Sequence, residues 1–322
     1  MTAVEEPRLA IIVVNFGSHL LLSSNLSKVS RGVPTADVVV VDNFSSTAEQ
    51  ESVANLCRQE GWTFVPSDWN VGFGAGMNLG IAAAAERGNT LFLLLNPDAT
   101  IDAGSIDLLM AEAELDPLAL IAPMIETPGG TTWFDGADLH LRFGRSRATR
   151  HRPSFPRERF EPWLSGACLL MTLTLWDRTG GFDERYFLYW EDIELSVRIV
   201  KSGGRLRLVE AARAVHDEGG THDDEAHRSR SRGKSSVYYF YNIRNRLLFA
   251  AQHLDTADRR RWLLNSPAAA WDVLLQGGRR QFLHSLAPVR AAVTGTAAGI
   301  TLYARERATM RASARTAGAR TR

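Results

Sequence analysis

Three apolar runs, LAIIVVNF (9–16), ADVVVVDNFSS (36–46) and LFLLLNPDA (91–99), constrain the fold most. Each has the length of a strand, and none alternates apolar with polar residues, so each must be covered on both faces. Between them lie stretches suited to helices, around His19–Val29, Thr47–Glu60 and Gly76–Arg87, with WTFVP (62–66) as a short further strand. Buried strands alternating with helices predict an α/β domain with a Rossmann-like, mostly parallel central sheet flanked by helices. Ligands of such sheets gather beyond the carboxyl ends of the strands. All three runs end there in polar residues: Asn15, then Asp42 and Asn43, then Asn96 and Asp98. Local Asx turns account well for one such ending and poorly for three in one sheet.

Further along, Ser105–Leu115 suits a helix, and residues 126–163 form a long polar stretch rich in Gly, Pro and Arg. That length without apolar periodicity predicts a loop, either a binding element or disordered. LSGACLLMTLTLW (164–176) has strand character, YWEDIELSVRIVKSGG (189–204) is a helix ending at Gly203, and RLRLVEAARAVH (205–216) is a strand stopping on His216. Residues 217–236 are charged and read as a mobile loop. With 322 residues and 45% hydrophobic content, the chain can bury one large core and carry an appendage. The expected division is a sheet domain over 1–250, with a ligand half to about 125 and a second half over 126–250. A basic helical segment follows over 251–322.

The net charge of +1 conceals an asymmetry: from Arg259 to Arg322 the only acids are Asp272 and Glu306. Trp262, Leu263, Leu264, Trp271, Leu274, Leu275, Phe282 and Leu283 are interleaved with the arginines. Two readings fit: an interfacial helix on anionic lipid, or a helical appendage ending in a disordered tail from about Ala308. No aromatic platform or reading helix accompanies the charge, which argues against nucleic acid. Cys57 and Cys168 are too few for a disulfide framework and suit reduced thiols of the cytosol. The acidic N-terminus does not read as a signal peptide, and no apolar run approaches the roughly 18–20 residues of a membrane span. The expectation is a cytoplasmic protein lying at most on the inner face of a membrane.

Four constellations carry chemistry. Asp98, at the tip of a buried strand, can give oxygen ligands to a hard divalent cation, or can simply be a turn acid capping a helix that begins near Ile101. His216 ends another strand and is a candidate second ligand. WNVGFGAGMNLG (69–80) has Gly72, Gly74 and Gly76 but does not follow the first strand, where a dinucleotide fingerprint belongs. It reads instead as a glycine turn that lets backbone approach a ligand, with Asn70 and Asn78 as polar contacts. GGFDERYFLYWEDIELSVR (180–198) is the densest: Glu191 and Asp192 open a helix amid Phe182, Phe187, Tyr189 and Trp190. Acids suit a helix start, but the surrounding aromatics suit a carboxylate base in a desolvated pocket.

The ordered set VVN, VDN-SS, N-GFGAG-N, NPDA, SGACLL, GGFDERYFLYWEDIEL and H--GG resembles the family 2 glycosyltransferases, and within them the bacterial rhamnosyltransferase-like branch, over residues 9 to 221. The resemblance implies the GT-A fold, a nucleoside-diphosphate sugar donor (UDP- or dTDP-linked, with dTDP-rhamnose suggested), Mg²⁺ or Mn²⁺, and inversion at the anomeric carbon. It implies that Asn15, Asp42 and Asn43 meet the nucleoside, and that Asn70, Gly72 and Asn78 line the nucleotide pocket. Asp98 matches the last acid of the metal motif, Asn96 stands where many relatives have its first acid, and His216 completes the site. Asp192 matches the catalytic base with Glu191 beside it, and Trp190 with the Gly181, Phe182, Asp183, Glu184 turn would shape the acceptor pocket. The acceptor would be a glycan, a lipid-linked sugar or a natural product.

Rival readings lack their signatures. A dehydrogenase needs its fingerprint after the first strand, and a nucleotidyltransferase needs a glycine-rich loop with a basic residue near the N-terminus; VVNFGSHL is neither. A nucleotide-sugar-binding protein without transfer activity could dispense with the Glu191–Asp192 pair, which is intact here.

Overall fold

The structure, a computed structural model, describes residues 7–217 and 234–320. Strand β1 (Leu9–Asn15) leads through α1 (His19–Leu21), a π-helical stretch at Leu22–Leu26 and α2 (Ser27–Gly32) into β2 (Asp37–Asp42). Then come α3 (Thr47–Glu60), β3 (Thr63–Pro66), α4 (Phe73–Glu86), β4 (Leu91–Leu95), β5 (Ala99–Ile101), α5 (Ala103–Leu115) and β6 (Ala119–Glu126). Beyond them lie β7 (Thr132–Phe134), β8 (Ala137–His140), β9 (Arg145–Ala148) and β10 (Phe160–Trp163). The chain continues with β11 (Cys168–Thr172), α6 (Leu173–Thr179), α7 (Glu191–Lys201) and β12 (Arg205–His216). Four helices close it: α8 (Ser236–His253), α9 (Thr256–Leu264), α10 (Ser266–Leu275) and α11 (Ala287–Arg320).

The main sheet has the order β3-β2-β1-β4-β11-β6-β12-β5, with β7 added beside β6. Strands β3, β2, β1 and β4 are parallel, β11 is antiparallel to both its neighbours, and β12 is parallel to β6. Every residue of β1 and β4 is buried, as are the four valines of β2. Each such Val, Leu or Ile contributes roughly 1.5–3 kcal/mol on burial, which makes these three strands the anchor of the core. Local signals set the helix ends. Ser46 Oγ accepts from Glu49 N at 3.2 Å before α3, and Gly61, at φ 76°, ends it.

Several expectations need correction. The stretch 126–163 is not a loop: it holds β7 and a second, antiparallel sheet in the order β10-β8-β9. Two of its polar residues are paired with side chains outside the strands, Asp138 with Arg152 at 2.6 Å and His140 with Glu158 at 2.6 Å, so both can be buried. Strand character in 164–176 is confined to β11, because Thr172 Oγ1 accepts from Leu175 N (3.0 Å) and starts α6. The helix expected at Gly76–Arg87 begins three residues sooner, at Phe73. Past Ala308 the backbone remains helical to Arg320, in a stretch of helix-favouring Ala and Arg. Of the loop expected at 217–236, residues 218–233 lie outside the described residues.

Helix α8 straddles residue 250 and packs along α11, where Gly295 and Gly299 bring the two backbones together: a Cβ would stand 2.7 Å from Phe240 O and 3.0 Å from Arg244 O. Among the described residues no helix is long and apolar enough to cross a membrane.

Candidate active site

The carboxyl ends of β1, β4 and β12 and the start of α7 border one cleft of about 2190 Å³, whose far wall is formed by β8, β9 and the C-terminal helices. Of the residues singled out from the sequence, Asn96, Asp98, Tyr189, Trp190, Glu191, Asp192 and His216 line it. The others stand behind that surface, in three groups.

The first group is hydrogen-bonded into the sheet edge, with Asp42 Oδ2 left unpartnered. Asn15 Nδ2 donates to Asp42 Oδ1 (3.0 Å) and to Glu49 Oε1 (3.2 Å). Burial raises the Asp42 carboxyl above the ordinary carboxylate range, against the hydrogen bond from Asn15. Glu49 does line the cleft; it accepts from His19 N (2.7 Å) and lies 2.6 Å from His19 Nδ1. Burial works against its charge, but these hydrogen bonds hold its carboxyl below the usual range. Sequence reasoning missed both His19 and Glu49. The local pattern Ser46-x-x-Glu49 suggests a capping box, whereas the carboxylate turns to a distant turn instead.

In the second group, Asn43 Nδ2 donates to Asn70 Oδ1 (2.9 Å) and Gly72 O (3.1 Å), while its Oδ1 accepts from Val71 N (2.8 Å). The close approach expected at the glycine turn exists, but its partner is the chain itself: a Cβ on Gly72 would stand 2.3 Å from Phe187 O. In the third, Asn78 Oδ1 accepts from Phe182 N (2.9 Å) and its Nδ2 donates to Phe182 O (3.0 Å) and Glu184 Oε1 (3.2 Å). Phe182 is buried edge-on to Phe73, Gly181 lies against Trp176, and Asp183 is held by Arg185 (2.6 Å) and Gln252 (2.9 Å). The Gly181–Glu184 turn thus braces α4 against α7 and borders no part of the cleft.

Strand pairing brings Asp98 and His216 together. His216 is in register with Ala99 across β12 and β5, and its Nε2 lies 3.1 Å from Asp98 Oδ1. The contact is not aligned as a hydrogen bond, and Asp98 Oδ1, Asn96 Oδ1 and His216 Nδ1 are buried with no hydrogen-bond partner. The Trp133 ring covers the imidazole at 4.6 Å between centroids. Orphaned acceptors of this kind are costly unless something completes them. Among the described residues no group of three His, Cys, Asp or Glu side chains forms a full metal cage. The donors present, one carboxylate, one imidazole and one amide oxygen, fit a divalent cation whose remaining positions are filled by phosphate oxygens.

Across the cleft, Asp192 sits in the first turn of α7, its Oδ2 accepting from Gly166 N (3.1 Å) and its Oδ1 from Ile193 N (2.8 Å). Burial pushes its carboxyl up to about 6, against those two amides. Burial, and next the charge of Asp192, raise Glu191 far above the carboxylate range, and its Oε2 has no hydrogen-bond partner. Both carboxyls of the pair are thus held above their ordinary values by burial. The turn before them is strained: Tyr189 (φ 66°) and Trp190 (φ 74°) are both left-handed, at roughly 1–2 kcal/mol per non-glycine residue.

Comparison with known proteins adds four findings. The family model described as glycosyl transferase family 2 matches residues 10–171. An N-acetylglucosaminyl-diphospho-decaprenol L-rhamnosyltransferase of Mycobacterium tuberculosis is 30% identical over 203 residues, covering 56% of this chain and 66% of that protein, just under two thirds of its length. The rhamnosyltransferase WbbL of Escherichia coli K12 is 23% identical, covering 64% of this chain and 82% of its own. Among solved structures, a mannosyltransferase from Pyrobaculum calidifontis in complex with GDP-Man and Mn²⁺ superposes with a TM-score of 0.52 at 15% identity, covering 94% of this chain and 88% of that one. That likeness bears on the fold alone, the GT-A arrangement of a curled sheet between helices.

Proposed function

The chain belongs to glycosyltransferase family 2, and from that membership we propose that it transfers a sugar, with inversion, from a nucleoside-diphosphate donor to an acceptor hydroxyl. The observation that carries this reading is the single cleft shared by Asp98, His216 and Asp192. The relatives named as rhamnosyltransferases favour dTDP-rhamnose as donor. The first relative's name, with its diphospho-decaprenol sugar, favours a lipid-linked acceptor.

In this reading the His19–Glu49 edge receives the nucleoside, and the donor diphosphate lies toward Asp98. Asp98 and His216, with the Asn96 side-chain oxygen, would hold Mg²⁺ or Mn²⁺ there. When bound, the cation neutralises charge that builds on the departing diphosphate. Asp192 Oδ removes the acceptor hydroxyl's proton as the oxygen attacks the anomeric carbon from the face opposite the leaving group. The raised position of its carboxyl suits a base that works near neutral pH. Glu191 stands beside it with its carboxyl raised by burial, and Trp190 lines the acceptor side. A screen of nucleotide sugars by thermal shift, with and without Mn²⁺, tests the donor and the cation together. A donor that stabilises the protein only with the metal is the expected result; stabilisation by no nucleotide sugar under either condition overturns the reading.

A second reading concerns location. Leu264, Leu283 and Leu286 are 81%, 82% and 76% exposed, with Trp271, Val293 and Ile300 exposed nearby and Arg279, Arg280 and Arg290 among them. His284 and Ser285, between Leu283 and Leu286, also line the cleft. Apolar side chains within a basic field favour docking on an anionic membrane, which would bring a lipid-linked acceptor to the cleft mouth. Leu283→Glu/Leu286→Glu should abolish sedimentation with phosphatidylglycerol vesicles; unchanged sedimentation removes the idea.

A further inference from the structure

Two bulky residues in a row hold left-handed backbone just ahead of Asp192, and such geometry persists only where the surroundings over-determine it. The turn does not hold itself: the Trp190 N-cap makes no side-chain capping hydrogen bond. Its restraint comes from another element. Asn245 in α8 is wholly buried, and its Nδ2 donates to Leu188 O (2.9 Å) and to Tyr189 O (2.7 Å). Its Oδ1 accepts from the Arg244 guanidinium, which also donates to Arg185 O (2.9 Å). On the opposite side Phe73 N donates to Phe187 O (2.9 Å), an approach that the missing side chain of Gly72 allows. The carbonyls of 187, 188 and 189 are thus all taken by groups outside the turn. Only a side-chain amide offers two N–H donors and an acceptor from one short stem; at 245 an aspartate loses the donors and a leucine loses everything.

We propose that Asn245 is a positioning residue for Asp192: by gripping two successive carbonyls it fixes the left-handed turn, and with it the direction in which α7 presents Asp192 to the cleft. This rests on the reading of Asp192 as the general base. Asn245 touches neither substrate nor the reacting atoms; its effect passes through the backbone from Leu188 to Glu191. If the grip is lost, the turn relaxes, the Asp192 contact to Gly166 N loosens, and water reaches the carboxylate.

The test compares Asn245→Ala with the parent in turnover, in donor KM, and in a direct titration of Asp192 by carbon NMR of aspartate-labelled protein, the signal assigned with Asp192→Asn. Expected is a fall in kcat of about 10- to 100-fold, since displacement by an ångström can cost that much, with donor KM within about twofold. The Asp192 titration and the acid limb of the kcat profile should both move to lower pH, because water returns to the carboxylate. In a Tyr189→Gly background, where glycine takes the left-handed turn freely, Asn245→Ala should cost much less than in the parent. An unshifted titration with equal losses in both backgrounds reduces Asn245 to a buried structural amide and overturns the proposal. If Asn245→Ala does not fold, Asn245→Ser, which keeps one donor, is read by the same criteria. Near-normal turnover of Asp192→Asn with a shifted titration in the Asn245 variant would sink the base assignment alone.

Discussion

The two sides of the cleft differ in how far folding alone completes them. Beside β1 and β2 the polar groups answer one another: Asn15, Asp42, Glu49 and His19 form one chain of contacts, and Asn43, Asn70 and Gly72 another. Only Asp42 Oδ2 is left over there. Beside β12 and α7, Asn96 Oδ1, Asp98 Oδ1, His216 Nδ1 and Glu191 Oε2 are all buried without a hydrogen bond, and the backbone at 189–190 is left-handed. A buried polar atom left unpartnered costs about 1–3 kcal/mol. A surface that recognises a nucleoside gains from being finished before the ligand arrives. Groups that meet changing charge gain from having partners still to acquire.

The comparison breaks most sharply if Asp192→Asn retains activity. We expect turnover to drop by about 10²–10⁴-fold, with donor affinity by calorimetry within about twofold, because the β1–β2 side is untouched. Next, Asp98→Ala should weaken Mn²⁺-dependent donor binding by about 10- to 100-fold, a loss of roughly 1.4–2.8 kcal/mol. It should leave the stability of the free protein equal or higher, since an orphaned carboxylate is removed. A stability loss would show the second side to be as self-sufficient as the first. On the first side the order reverses: Asn43→Ala should lower unfolding free energy by about 1–3 kcal/mol, read by urea titration, while the folded fraction keeps most of its turnover.

The smallest effect is in pH. The Asp192 carboxyl titrates at about 6 in the folded protein and near 3.8 when unfolded, so the folded state holds the extra proton between those values. Its contribution therefore favours folding less and less as pH rises through that window. Asp192→Asn should melt several degrees above the parent at pH 8, and the gap should narrow toward pH 4. A gap independent of pH would mean that Asp192 is not desolvated.

The parts legible in the sequence are those whose stability is local or uniform. Strands β1, β2 and β4 announce themselves because each carries an unbroken run of four or more apolar residues, and α3 ends where Gly61 lies. Strand β8 is hidden because Asp138 and His140 read as surface residues until Arg152 and Glu158, 14 and 18 residues on, are placed against them. At the site, Asp98, His216 and Asp192 could be picked out as acids and a histidine at element ends. The bracing role of Asn78 could not, since its partners lie 104 residues away. Asn245, inside an unbroken helical pattern, carries no sign in sequence of the turn it grips.

The pairing of β12 with β5 has one more consequence. Because His216 and Ala99 face each other across a ladder of main-chain hydrogen bonds, the spacing of positions 98 and 216 belongs to the backbone and not to the side chains that occupy them. The donor atoms can therefore be exchanged, oxygen for nitrogen or amide for acid at Asn96, while their mounting points stay put. Any preference these side chains have for a ligand is open to redesign by single substitutions that leave the ladder intact.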